Sequence, residues 1–250
     1  MPVSVSLLAA SGALRVASLN LCADEYLLLL ARPSEIASLT RLSQEPSESP
    51  LWRTARHYPA NRGSMEDVIS ARPTLVLTMG GGGRSSEAIA RRLGLKTIDL
   101  AFPASIEDVE RNMVRAASAL GDANRAAGWR KELARLMKST RNNAQDTIFL
   151  TDSGFSLSSD GSGAQWMALA GFRQRPLPGA RASLETLALH PPAILLRSTY
   201  RRSQHSLGQA WLEHPLARDA RAKTVWTDGR PWTCMGPLML PEITRLRQIR

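Results

Sequence analysis

Two segments more than a hundred residues apart read as copies of one unit. Residues 64–77 are SMEDVISARPTLVL and residues 183–196 are SLETLALHPPAILL. Each copy opens on Ser, carries Glu two places on, has Pro at its tenth position and closes on a β-prone apolar run. The Ser side chain can accept from the free N–H groups of a first helical turn, and Glu in that turn faces the positive end of the helix dipole. Proline then stops the helix, and the apolar run reads as a buried strand. A second echo follows each copy, LKTID at 95–99 and AKTVW at 222–226, and both look like the next strand of the layer. A chain that repeats such units in its two halves predicts two similar lobes, and the cleft between lobes is a preferred ligand site.

The rest of the chain fits this scheme. A strand over 15–19 leads through the turn 20–24 into an apolar helix over 25–31, which Pro33 stops, and a second strand covers 36–39. Residues 40–63 show neither period; a loop of that length in a compact domain is usually functional or disordered, and its aromatic residues argue against disorder. Further strands are predicted at 74–78, 95–100, 147–151 and 224–226. Helices are predicted at 85–93, from Ser105 with Asp108 as a capping box, at 123–140, 164–170 and 204–212, and from Pro237 onward. Strands alternating with helices argue for mainly parallel sheets. The fold class is therefore α/β, with two Rossmann-like lobes. The expected layout is a signal remnant at 1–13, a first lobe at 14–121, a connecting helix at 122–141 and a second lobe at 142–250. Residues 1–14 are apolar and rich in small side chains but lack the positive start of a secretory signal.

Composition excludes some roles. No segment of the 250 residues is apolar for long enough to cross a bilayer. The formal charge of +10 comes mostly from scattered arginines. A solvated basic surface accounts for it, with steering of an anionic ligand as the second reading and nucleic acid as a distant third. No nucleic-acid-binding signature is present. The two cysteines, Cys22 and Cys234, have no partners spaced for zinc. Sequence leaves open whether they stay free or pair; a bond between them would tie the lobes together across the cleft.

Catalytic motifs are missing as well. There is no phosphate-loop lysine motif, no nucleophile elbow, and no metal-ligand spacing among His57, His190, His205 and His214. The run Gly80–Gly83 lies between a strand and a helix, where a phosphate loop would lie, but reads more simply as a permissive turn. Trp52, Tyr58, Trp226 and Trp232 fall in or beside loops near strand ends, where ligands of α/β sheets bind. Glu66 and Glu185 hold one place in the two copies. Helix-start electrostatics explains each alone, whereas a two-fold symmetric partner would use both.

The stretch RVASLNLCADE at 15–25, the two Ser-x-Glu…Pro units and the mid-chain helix, in that order, resemble the substrate-binding proteins of cobalamin and iron-chelate ABC importers. The resemblance runs from about Leu14 to the C-terminus. It implies two α/β lobes joined by one long rigid helix, here 123–140, with ligand held between them and little hinge motion. It implies that Glu66 and Glu185 dock on the dimeric permease of the inner membrane. It places Asn20, Cys22, Asp24, Tyr58, Gly81, Gly82, Arg84, Trp232 and Cys234 at loops facing the ligand, beside Trp52 and Trp226. A stacking Trp usual before the first Glu is replaced by PANRG at 59–63. The resemblance further implies a monomeric periplasmic carrier, not an enzyme, with no cofactor of its own; cobalt or iron would arrive with the cargo. The rival readings are a two-lobed cytoplasmic enzyme with Cys22 as nucleophile and the Gly run holding phosphate, and a ligand sensor of the same architecture.

Overall fold

A computed structural model describes residues 13–81, 84–139, 143–151, 153–200, 214–218 and 221–249. The first lobe holds β1 (Val16–Ser18), α1 (Leu21–Leu30), β2 (Ile36–Thr40), α2 (Trp52–Ala55), β3 (Ala60–Asn61), α3 (Met65–Ile69), β4 (Leu75–Met79), α4 (Arg84–Arg92) and β5 (Lys96–Leu100). Next come α5 (Ile106–Ala119) and α6 (Ala127–Lys138). The second lobe holds β6 (Gln145–Leu150), α7 (Ser162–Ala170), β7 (Phe172–Gln174), α8 (Leu184–Leu189), β8 (Ile194–Ser198), α9 (Pro215–Arg218), β9 (Lys223–Thr227), α10 (Pro231–Cys234) and α11 (Met239–Ile249).

Both sheets are parallel, with orders β3-β2-β1-β4-β5 and β7-β6-β8-β9. Apart from the extra edge strand β3, the two orders are the same topology. Parallel neighbours need crossovers, which is why helices cover the faces.

The repeated unit keeps its register in space. Ser64 caps α3 and Ser183 caps α8, each accepting from the N–H three residues on. Leu75 pairs with Lys96 and Ile194 with Lys223, the matching positions of the two copies. Val68 packs with Ala17 and Val76, and its counterpart Leu187 packs with Ile148 and Leu195.

The connection between lobes differs from the single helix placed at 123–140. Gly121, at φ +89°, ends the preceding turn, and Asp122 then caps a 3-10 turn, Ala123–Ala126, before α6 begins. Two helices share the bridging role. In α5, Ile106 and Val109 lie in the second lobe's core while Met113, Ala116 and Ala117 lie in the first. In α6, Leu133 and Leu136 join the second core, and Trp129 touches both. At 1.5 Å per residue α5 spans about 21 Å, so one amphipathic face of it crosses from one core to the other.

Other departures are local. The helix placed at 25–31 starts at Leu21, because Asn20 caps it by accepting from Ala23 N at 2.9 Å. The aperiodic stretch 40–63 holds a 3-10 turn (Arg41–Gln44), α2 and β3. These are too short for a periodicity to show. The loop at 228–236 contains α10, and the last helix begins at Met239 rather than Pro237. The helix placed at 204–212 lies outside the described residues.

Candidate functional site

The carboxyl ends of the two sheets face each other, and contacts across the gap fix this. Cys22, in the first turn of α1 after β1, is disulfide-bonded to Cys234 at the end of α10 after β9, with Cα atoms 5.4 Å apart. Tyr200, just past β8, donates its hydroxyl to Glu48 Oε2 at 2.7 Å. Arg230 donates to the Pro46 carbonyl at 2.8 Å and to the Ser49 carbonyl at 3.2 Å. Trp129 Nε1 donates to the Pro237 carbonyl at 3.0 Å. The lobes therefore meet along the β1–β2 side of the first sheet and the β8–β9 side of the second. The ends of β4, β5 and β6 lie away from these contacts. There Phe102 and Phe155 are about half exposed, and the Arg181 guanidinium sits 4.5 Å from the Phe155 ring centroid. Strand carboxyl ends are where such sheets bind ligands.

Several candidates belong to the frame instead of the cleft. Cys22 and Cys234 form the inter-lobe bond, so neither is a ligand-facing thiol, and no free Cys22 nucleophile exists in this state. Asp24 is fully buried; it accepts from the hydroxyls of Ser18 and Thr40 and from Thr40 N at 3.1 Å. Burial raises its carboxyl to about 7 against the pull of these hydrogen bonds. Trp232 is a core residue, with its ring centroid 4.7 Å from that of Phe149 and Nε1 donating to Thr227 Oγ1 at 2.8 Å. Asp24 and Trp232 lie in the first turns of α1 and α10, and both are buried there. Asn20 is half-buried and ties β1 to β4, donating to Thr78 Oγ1 at 3.2 Å and to the Met79 carbonyl at 3.0 Å.

The remaining candidates sit at or near the surface. Trp52 is half-buried, with the guanidinium carbons of Arg53 and Arg56 at 4.6 and 4.5 Å from its ring centroid. Tyr58 is half-buried against the first core. Trp226 lies on the outward face of edge strand β9, with Arg197 at 4.9 Å from its ring centroid. Gly81 is exposed at φ +73°, and its N–H donates to Asp99 Oδ2 at 3.1 Å. Gly82 falls outside the described residues, and Arg84 is described only as the first residue of α4. Glu66 and Glu185 are both exposed in the first turns of α3 and α8, and neither has an ion-pair partner among the described residues.

The structure adds Glu48, Tyr200 and Arg230 as groups that bridge the lobes, and Phe102 and Phe155 as exposed rings at strand ends. Phe102 follows an apolar run directly, whereas Phe155 stands after the turn residues 151–154 and has no such signal. Among the described residues no group of three His, Cys, Asp or Glu side chains could hold a metal ion.

Next to the disulfide, Glu25 and Tyr26 are buried. The backbone N–H of Leu238, in the opposite lobe, faces Glu25 and favours its ionised form against the larger effect of burial. Its Oε2 has no partner and is aimed at Gly236, where a Cβ would stand 2.8 Å away. Burial, and to a lesser degree the Asp24 charge, pushes the Glu25 carboxyl well above the usual range.

No family model matches the chain, and no curated protein is similar to it in sequence. Solved structures do match over nearly the whole length. The periplasmic heme-binding protein RhuT from Roseiflexus sp. RS-1, in its apo form, is 21% identical, with a TM-score of 0.70 over 95% of this chain and 97% of that one. The periplasmic heme-binding protein HutB of Vibrio cholerae is 14% identical, with a TM-score of 0.73 over 95% and 98%. The periplasmic vitamin B12-binding protein BtuF of Vibrio cholerae is 16% identical, with a TM-score of 0.61 over 94% and 95%. The chain thus has the fold of these two-lobed periplasmic binding proteins, with its lobes joined by α5, α6 and a disulfide.

Proposed function

We propose that this protein is the periplasmic substrate-binding component of an ABC importer, a carrier and not an enzyme. It takes a flat metal chelate, heme-like or corrinoid, between its lobes and hands it to a permease dimer in the inner membrane. The observation that carries this reading is the end-to-end likeness to carriers of heme and vitamin B12. Exposed or half-buried rings with arginines beside them support the ligand class. Trp52 with Arg53 and Arg56, Phe155 with Arg181, and Trp226 with Arg197 each pair an apolar ring with a fixed cation. Rings suit the face of a macrocycle, and guanidinium forks suit its carboxylates. The net charge of +10 favours the arrival of an anionic chelate. Iron or cobalt belongs to the cargo, and the protein works as a monomer without a cofactor or nucleic acid.

Titration with hemin and, separately, cyanocobalamin tests this by absorbance. One of them should bind saturably at one per chain with Kd near ~1 µM or tighter; no binding of either overturns the reading. The docking role of the paired acids is tested by Glu66→Ala with Glu185→Ala. Cargo affinity should stay unchanged while uptake in cells is lost. Weakened affinity with intact uptake would contradict it.

A further inference from the structure

The lobe junction holds a covalent bond beside a buried carboxyl with an unpartnered oxygen. Segment 234–238 of the second lobe lies against the first turn of α1. Cys234 bonds Cys22, Gly236 faces Glu25 Oε2, and the Leu238 N–H faces Glu25. The second lobe grips this segment too: Trp166 Nε1 donates to the Met235 carbonyl at 3.3 Å, and Ser162 Oγ contacts Met235 Sδ at 3.2 Å. Met235 itself is at φ +47°, a backbone conformation an unbranched side chain rarely takes unless its surroundings hold it.

Glu25 is the weak point of this arrangement. Its side chain is 3% exposed, and no cation among the described residues contacts it. The titratable groups around it are Asp24 and Tyr26 on its own helix. The facing segment presents Gly236 and the Leu238 N–H, and α5 presents the neutral Asn112 near Tyr26. A carboxyl with one orphaned oxygen costs more to bury than to leave in water. At neutral pH the lobe contact at Glu25 therefore opposes closure, and the neighbouring bond maintains it.

We propose that Cys22–Cys234 is a redox latch: oxidised, it holds segment 234–238 of the second lobe against α1, and reduced, it lets the lobes part there and Glu25 meet water. The chemistry is thiol–disulfide exchange with a dithiol, either a small reagent or a dithiol reductase of the same compartment. Cys234 is buried and Cys22 only half-buried, so the incoming thiolate attacks Cys22 Sγ. The S–S bond breaks and Cys234 leaves as a thiolate that takes up a proton. The second thiol of the reductant then displaces Cys22, which takes up the other proton. Two electrons and two protons reach the protein, and the dithiol becomes a cyclic disulfide. After release, polar contacts of Tyr200 and Arg230 still cross the gap among the described residues.

Hydrogen exchange read by mass spectrometry, on the intact protein with and without dithiothreitol, tests the latch. Alkylation counts the two thiols. Reduction should speed exchange in 21–26 and 235–240 by about tenfold while leaving β4 and β8 unchanged. The Cys22→Ser, Cys234→Ser double variant should match the reduced protein, and reversible reduction of the wild type gives the answer if that variant fails to fold. Adding Glu25→Gln should return most of the protection, because a neutral amide is buried without ionising. Unchanged exchange after reduction overturns the latch. Equal acceleration in β4 and β8 also overturns it, since that pattern marks an ordinary crosslink that stabilises everything. If Glu25→Gln leaves the reduced protein as open as before, the driving role of Glu25 is overturned.

Discussion

In the first lobe Asp24 is buried among Ser18, Thr40 and Asn20's turn, with no cation paired to it among the described residues. In the second lobe Glu242 is buried beside the carboxyl end of β9, but its Oε1 accepts from Thr227 Oγ1 at 2.6 Å, from Asp228 N at 3.0 Å and from Arg245 at 2.6 Å. The two lobes share a strand order and a repeated cap, yet they satisfy a buried acid in opposite ways. Neutral hydroxyls around the Asp24 carboxyl leave desolvation dominant, whereas Glu242 carries a guanidinium against its carboxyl. Duplicated topology thus conserves the layers but not the electrostatics at the strand ends. The first lobe buries its acid among hydroxyls, and the second buries its acid in an ion pair.

The largest effect that would break this contrast is the pH profile of stability. The Asp24 carboxyl stands at about 7 in the fold against 3.8 as its ordinary value. Between those values the folded state binds the extra proton, so stability is fully present below pH ~4 and falls as pH rises through about 7. A shift of about three units corresponds to a loss of ~4 kcal/mol. Glu25, raised in the same direction, adds to the slope. Urea denaturation of the oxidised protein from pH 4 to 8 measures it. Asp24→Asn should flatten much of the slope and be neutral or stabilising at pH 8. A wild type whose stability rises with pH across this window would remove the contrast.

Next in size is Glu242→Gln. The amide keeps an oxygen for Thr227 and Asp228 but leaves Arg245 without its carboxylate. Because Arg245 is nearly half exposed, water screens part of the loss. A destabilisation of about 2 kcal/mol at pH 7 is expected, within the range for hydrogen bonds to charged groups. The same urea experiment reads it. Matching effects of Asp24→Asn and Glu242→Gln at pH 7 would show that the lobes treat their acids alike.

What the sequence made legible follows the same division. The doubled Ser-x-Glu…Pro unit, the flanking strands and the parallel two-lobed layout are local patterns of caps and apolar runs, and they stand in the structure at matching registers. What it hid is contact between distant residues. The pairing of Cys22 with Cys234, left open by the sequence as one of two alternatives, depends on segments of opposite lobes meeting in space. Trp232 reads as a loop aromatic because the four-residue α10 that turns it inward is too short to carry a period. The bridging role of α5 was hidden because Ile106 and Met113 lie on one stripe that serves two different cores. The site residues were the least legible, since α1 begins four residues earlier than its apolar run suggests and so buries Asp24 and Glu25.

The smallest effects sharpen the comparison where the lobes are most alike. Ser64→Ala and Ser183→Ala each remove an N-cap, which costs ~1 kcal/mol in a typical helix. The two sites are not equal in detail. Ser64 accepts from Asp67 N at 3.3 Å, and the Asp67 carboxylate independently holds Arg62 N at 2.9 Å. Ser183 accepts from Thr186 N at 3.0 Å and also meets the Thr186 hydroxyl at 2.9 Å, with no carboxylate tie behind it. Loss of Ser183 should therefore cost more than loss of Ser64, by a few tenths of a kcal/mol, and the double variant should show the sum because the sites lie in separate lobes. Hydrogen exchange in α3 and α8 assigns each loss to its own lobe. If Ser64→Ala loosens α8 as much as α3, the lobes unfold as one unit and the disulfide couples them far more tightly than their separate cores require.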